Sequence, residues 1–182
     1  QQNYLQNQKI LNEIQSNFKA QNFNGISIDT RMLKKNNLFL TIKGKNNNGA
    51  KFVTKALKKG AKYIVSSQNI KKQKNKTIKV KNEIKFLNNY ASKKREKTRA
   101  KIIAVTGSAG KTSLKNLIKD LLNNFGKTLS SPKSYNNHFG VPLSLSQLKI
   151  EHKFGVFEVG MSKKGEIDKL TKLIRPHFGI IT

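Results

Sequence analysis

Apolar positions recur along the chain in two rhythms, one suited to helices and one to buried strands. Leu5, Leu11, Ile14 and Phe18 fall at roughly helical spacing and predict a first helix over residues 4–18. Short apolar runs follow at residues 26–28 and 38–42, then a helical pattern over about 51–59, then another run at 63–66. Phe52, Val53, Ala56 and Leu57 share one face of that helix, and Gly60 stands where a left-handed C-terminal cap is expected. A lysine-rich stretch, 70–81, encloses one weak strand at 77–80. The pattern predicts a small α/β domain over residues 1–81 and a second domain over 82–182.

The second part opens with a predicted helix over 83–95 and a charged stretch, KKREKTRAK. A β-branched and apolar strand, 102–106, then runs into a glycine turn and a helix. That helix carries Leu114, Leu117, Ile118, Leu121, Leu122 and Phe125, the most regular amphipathic spacing in the chain. Further strands are predicted at 154–159 and 178–182, with a helix over 166–174 between them. Strands alternating with helices in this order argue for an α/β fold with a mostly parallel sheet. The chain begins at Gln1 rather than Met, and its final apolar run reaches the last residue, as expected of a segment of a longer polypeptide.

Composition narrows the function classes. With 36% hydrophobic residues, ten of them Phe, the chain can build a core. No run approaches the roughly 18 apolar residues of a membrane span, and the Asn/Gln-rich start lacks a signal peptide's apolar stretch, so a soluble, cytoplasmic protein is expected. Cysteine is absent, which excludes disulfide scaffolds, cysteine nucleophiles and zinc fingers.

The formal charge of +28, from 37 basic against 9 acidic residues, raises the question of nucleic-acid binding. Yet 33 of the basic residues are Lys and four are Arg, the residue whose planar fork suits phosphate. Asn (21) and Ile (17) share A/T-rich codons with Lys, so compositional drift accounts for much of the excess, and no nucleic-acid partner is expected. His138, His152 and His177 form no spaced pair and suggest no metal site.

The strongest chemical signal is IIAVTGSAGKT, residues 102–112, with the amphipathic helix directly behind it. Gly107 and Gly110 let the backbone turn tightly and bring N–H groups close to an anion at the positive end of a helix. Lys111 supplies a point charge for phosphates, and the Thr112 hydroxyl suits Mg²⁺. The loop departs from the general phosphate-loop pattern, which asks for Gly where Val105 stands. Downstream, Glu158 ends the apolar run FGVFEVG. A lone carboxylate buried there is costly unless a cation or donors meet it, so metal ligation is the economical reading.

These residues resemble the Mur ligase family of ATP-dependent amide-forming enzymes of peptidoglycan precursor synthesis. The resemblance rests on VTGSAGKT (105–112), YNNHFGVPLSL (135–145), FEVGMSKKGEID (157–168) and SIDTR (27–31), the last followed by LFLTIKGKNNNGAKF. Within the family, Val-Gly-Met after Glu158 resembles the branch that adds D-alanyl-D-alanine to UDP-N-acetylmuramoyl-tripeptide through an acyl phosphate. The tripeptide-forming branch would show Ser-Ser-His there. The resemblance implies a substrate-binding N-terminal domain and the first part of a phosphate-loop ATPase domain. It implies that Gly107, Ser108, Ala109, Gly110, Lys111, Thr112 and Ser113 hold ATP, and that Thr112 and Glu158 hold Mg²⁺. Asn137 would lie beside the γ-phosphate and the substrate carboxylate, completing a catalytic set with Lys111 and Glu158. Ser27, Thr30, Arg31, Lys43 and Gly44 would contact the UDP end of the substrate. A monomer is expected, and the segment alone is expected to be inactive, because the family's later central segments and C-terminal domain are missing from it. Asn48-Gly49-Ala50 stands where the family often has Asp-Gly-His, and His138 where an acidic residue is common. Another amide ligase of the family remains an alternative, as does a basic phosphate-loop ATPase that acts on nucleic acid.

Overall fold

The computed structural model describes residues 1–14, 23–44, 48–132, 135–161 and 164–182. They group into two compact units, Gln1–Tyr90 and Ala91–Thr182. The first holds α1 (Gln2–Ile14), β1 (Gly25–Ser27), β2 (Asn37–Leu40), α2 (Val53–Lys58), β3 (Tyr63–Ser66) and β4 (Thr77–Lys79). Phe18, placed in the first helix by its spacing, lies outside the described residues. The strands form one parallel sheet in the order β1-β2-β3-β4. Both faces of such a sheet are covered, so its strands read as short unbroken apolar runs, Leu38-Phe39-Leu40 and Ile64-Val65 among them.

Helix α2 packs Val53 and Ala56 against Phe39, Ala61 and Ile64, with Leu57 partly buried alongside. It ends as the glycine predicted. Gly60 adopts φ +89° and donates to the Leu57 carbonyl, and Ala61 donates to that of Ala56, so the helix's last carbonyls are satisfied. Phe52 departs from the predicted face. It closes a 3₁₀ turn, Gly49–Phe52, whose tighter winding turns its ring outward and leaves it 38% exposed. Helix α3 (Glu83–Lys97) follows. At its first turn the buried Glu83 carboxylate accepts from the Ser67 amide (2.6 Å), the Ser67 hydroxyl (2.9 Å) and Thr41 Oγ1 (3.1 Å), tying the exits of β2 and β3 together.

The second unit contains β5 (Lys101–Thr106), α4 (Lys111–Asn123), β6 (Thr128–Ser130), α5 (Gly140–Ser146), β7 (Phe154–Glu158), α6 (Glu166–Ile174) and β8 (Phe178–Ile181). Its strands are parallel in the order β6-β7-β5-β8. Strand alternation divides the core in two. Ile102, Ala104, Phe157 and Val159 face a cluster built with Val141 and Leu145 of α5 and Leu170 and Ile174 of α6. Ile103, Val105 and Val156 face the other way, against Leu114, Ile118 and Leu122 of α4. The amphipathic stripe of α4 is therefore only half used. Leu117, Leu121 and Phe125 are 60–67% exposed.

Strand β6 and helix α5 were not among the predicted elements. The first is a three-residue TLS segment, and the second is buried on every side, so neither carries a periodic signal. Among the described residues no helix is long and apolar enough to cross a membrane.

Lys94, on α3, is 3% exposed, and burial pushes its ammonium down to about 8 from 10.5. Below pH 8 the group is charged in both folded and unfolded chains, and the penalty stands in full. Between about 8 and 10.5 the unfolded chain binds the extra proton, so stability rises with pH. Lys94→Met is predicted to raise unfolding free energy at pH 7 by up to about 3 kcal/mol. That advantage should shrink toward pH 10 in denaturant titrations. An advantage independent of pH contradicts the assignment.

Candidate functional site

The glycine loop leaves β5 and delivers the chain into α4. Gly107 takes φ +136° and Gly110 φ +72°, backbone conformations that disfavour side chains, and Gly110 immediately precedes the first helical residue, Lys111. The N–H groups of that first turn and of the loop therefore lie together at the positive end of a 13-residue helix. Lys111 folds back over the loop, and its Nζ donates to the Gly107 carbonyl at 2.6 Å. This arrangement can cradle a polyphosphate.

Glu158 ends β7, directly beside Val105 of β5 in the parallel register. Alternation puts it on the same side of the sheet as Val156, the side covered by α4. Its side chain is 2% exposed, and each oxygen meets donors. Thr112 Oγ1 donates to Oε2 at 2.7 Å, and Asn136 Nδ2 donates to Oε1 at 2.8 Å. Lys115 Nζ lies 3.9 Å from Oε2 and donates to the Ser131 carbonyl at 2.8 Å. Ser131 Oγ accepts in turn from the Glu158 amide at 3.1 Å. Burial holds the Lys115 ammonium below its usual range, opposed by the charge of Glu158. A buried carboxylate is tolerable here because a cation and neutral donors surround it.

One carboxylate and one hydroxyl at the mouth of a phosphate loop suit a hard cation that takes its remaining ligands from phosphate and water. Among the described residues no cluster of three or more His, Cys, Asp or Glu could cage a metal on its own. The donor set therefore fits Mg²⁺ arriving with a nucleotide.

Other residues singled out in the sequence take different places. Asn137 turns toward α5, where its Oδ1 accepts from the amides of Phe139 (3.3 Å) and Gly140 (2.9 Å). The amide that reaches the carboxylate belongs to its neighbour Asn136. His138 stacks edge-on against Phe139, His152 accepts from the Lys149 amide, and His177 accepts from the Ile102 amide at 2.8 Å. Asn136, Lys115 and Ser131 were missed in the sequence. For Lys115 a signal existed, because it lies one helical turn beyond Lys111 and beside Leu114 and Ile118, on the face of α4 that must meet the sheet.

In the first unit, Ser27 ends β1 and the exposed Lys43-Gly44 turn follows the adjacent parallel strand β2, both at the carboxyl ends of the sheet. Ligands of open parallel sheets gather at such ends. Ser27 Oγ donates to the Asp29 carbonyl at 2.9 Å, and Thr30 is buried. Asp29 accepts from Arg31 Nε and Nη2, the latter at 2.7 Å, and this pairing holds the Asp29 carboxyl below its ordinary range. The Arg31 side chain is 84% exposed, and Asp29 fixes the orientation of its guanidinium.

A parallel α/β unit with a glycine loop before a helix and a carboxylate on the neighbouring strand defines a phosphate-loop nucleotide-binding protein. Family models agree and are more specific. Residues 22–111 match the Mur ligase family catalytic domain and residues 105–182 the Mur ligase middle domain. The chain belongs to the Mur ligase family. Among its relatives are the UDP-N-acetylmuramoyl-tripeptide--D-alanyl-D-alanine ligases (MurF) of Buchnera aphidicola subsp. Acyrthosiphon pisum and Rickettsia prowazekii. They are 40% and 34% identical over 87% and 88% of this chain, and over 34% and 36% of their own lengths. The chain thus spans about a third of the curated relatives it matches. A crystal structure of MurF from Acinetobacter baumannii superposes with a TM-score of 0.82 at 27% identity, over 96% of this chain and 39% of that one. MurF from Thermotoga maritima in complex with ADP superposes with a TM-score of 0.70 at 26% identity, over 84% of this chain and 35% of that one.

The two adjacent asparagines can be told apart by stability. Asn136→Ala strips the donor from Glu158 Oε1 and should cost about 2 kcal/mol in denaturant unfolding. Asn137→Ala removes a helix cap and should cost about 1 kcal/mol. A larger loss from Asn137→Ala contradicts this arrangement.

Proposed function

We propose that the protein is an ATP-dependent carboxylate–amine ligase that joins D-alanyl-D-alanine to UDP-N-acetylmuramoyl-tripeptide in peptidoglycan precursor synthesis, acting in the cytoplasm. The observation that carries this reading is the Thr112–Glu158 contact at the mouth of the glycine loop, in a chain whose relatives bear that activity's name. The second unit supplies the first part of the ATP-binding domain, and the first unit binds the UDP-linked substrate.

A carboxylate resists attack by an amine at neutral pH, so it must first be activated. The γ-phosphoryl group of ATP passes to the tripeptide carboxylate, giving an acyl phosphate and ADP. The amine of D-alanyl-D-alanine then attacks the acyl carbon. The C–N bond forms, the bond to the phosphate oxygen breaks, inorganic phosphate leaves, and the amine loses its proton.

In this reading the amides of residues 107–113 hold the β- and γ-phosphates, and Lys111 leaves its loop carbonyls to place its charge on the group in transfer. Thr112 and Glu158 would hold Mg²⁺, which screens the charge of the phosphates when bound. Asn136 fixes the free edge of the Glu158 carboxylate. Asn137, in the turn before α5, borders the γ-phosphate and the substrate carboxylate. At the other substrate end, Ser27, Thr30, Arg31, Lys43 and Gly44 receive the UDP, with Asp29 orienting the Arg31 fork.

The test is phosphate release by the full-length polypeptide that carries this segment, with ATP, Mg²⁺ and UDP-N-acetylmuramoyl-tripeptide. Release should depend on added D-alanyl-D-alanine and should fall by about 10²–10³ in Lys111→Ala. Release that ignores the dipeptide, or that survives Lys111→Ala, contradicts the reading.

A further inference from the structure

Helix α4 buries a charge that a phosphate loop does not require. Lys115 is 1% exposed on the face where Leu114, Ile118 and Leu122 pack against the sheet. An aliphatic residue would fill such a position without desolvating an ammonium. Instead the chain places Nζ between two acceptors, the Ser131 carbonyl at 2.8 Å and Glu158 Oε2 at 3.9 Å. Oε2 is the same oxygen that Thr112 engages, so the ammonium and the hydroxyl share one oxygen of the carboxylate suited to the cation. Both side chains of the ion pair are 2% exposed, and little solvent screens them from each other.

We infer that Lys115 neutralises Glu158, so that a divalent cation binds only when a nucleotide brings its own negative charge. This rests on the magnesium-nucleotide reading of the site. With the pair intact, carboxylate and ammonium sum to no net charge, and a bare divalent ion gains little by leaving water. When polyphosphate oxygens enter above the glycine loop, the local charge becomes negative, and Thr112 and Glu158 become worthwhile ligands. Lys115 thereby makes metal capture conditional on nucleotide and keeps the site from holding free cations. It acts through Glu158 and touches no phosphate, so it is a positioning and charge-setting residue rather than a catalytic one.

Removing the Lys115 charge should strengthen cation binding, whereas damage to the fold would weaken it. Mn²⁺ serves as the probe, its binding followed by electron paramagnetic resonance with and without ADP. The unaltered protein should bind Mn²⁺ weakly alone and much more tightly with ADP. Lys115→Met, which keeps the aliphatic stem, should bind Mn²⁺ without nucleotide at least tenfold more tightly, the scale on which a charge at this range shifts a carboxylate's affinity for a cation. Lys115→Arg, which keeps the charge, should stay close to the unaltered protein. If Lys115→Met folds poorly, added Mn²⁺ without nucleotide should raise its melting temperature more than that of the unaltered protein. Unchanged or weaker nucleotide-free binding in a folded Lys115→Met overturns the inference, as does a melting temperature that Mn²⁺ does not raise. If the unaltered protein fails to bind Mn²⁺ even with ADP, the magnesium-nucleotide reading itself falls, and the inference with it.

Discussion

The second unit is organised around one buried carboxylate. Glu158 ends an apolar strand in the middle of a parallel sheet, where an ionised side chain is stable only if its neighbours supply donors and charge. Two segments converge to do so. Helix α4 contributes Thr112 and Lys115, and the stretch before α5 contributes Asn136, while Ser131, just past β6, accepts from Lys115 and from the Glu158 amide. The phosphate loop is pinned to the carboxylate through Thr112, so the requirement to bury Glu158 also fixes the loop's anion-binding groups beside it.

Glycine geometry serves the same end. Gly160 lies close enough to Asn136 that a Cβ would sit 2.8 Å from its side-chain carbon, and its amide donates to the Asn136 carbonyl at 2.7 Å. A side chain there would push the amide away from Glu158. The first unit shows a related economy. Glu83 is buried among hydroxyls and an amide where parallel strands end, and the exposed Arg31 is held in orientation by Asp29. With only 9 acids against 37 bases, the acidic side chains found at buried or constrained positions are the informative ones. The large positive excess is mostly spread over exposed lysines and says little about partners.

Much of this was legible in the sequence, for reasons that differ from residue to residue. The loop and α4 were readable because a β-branched strand, paired glycines and a Lys-Thr start stand in unbroken order. Glu158 was readable as an acid stranded in an apolar run. The parallel sheets followed from the alternation of strands and helices. Other features could not be seen. Helix α5 hides its helical period because all seven of its residues are buried, and β6 is too short to have one. Spacing alone could not tell Asn136 from Asn137, since adjacent residues point in different directions according to where the next helix begins. The exposed half of the α4 stripe looked like core for the opposite reason, because apolar spacing reports a helical face and not what covers it. Lys115 was hidden by the abundance of lysine, although strand alternation and helix spacing together place it beneath the sheet's acid.

The most direct test is a crystal structure of the protein with ADP and Mg²⁺. The cation should lie at the mouth of the glycine loop with Thr112 Oγ1 about 2.1 Å away. The Thr112–Glu158 hydrogen bond should have given way to shared metal ligation, directly or through one water. A nucleotide bound elsewhere, or a cation beside the phosphates with Thr112 still bonded to an uninvolved Glu158, would contradict the account.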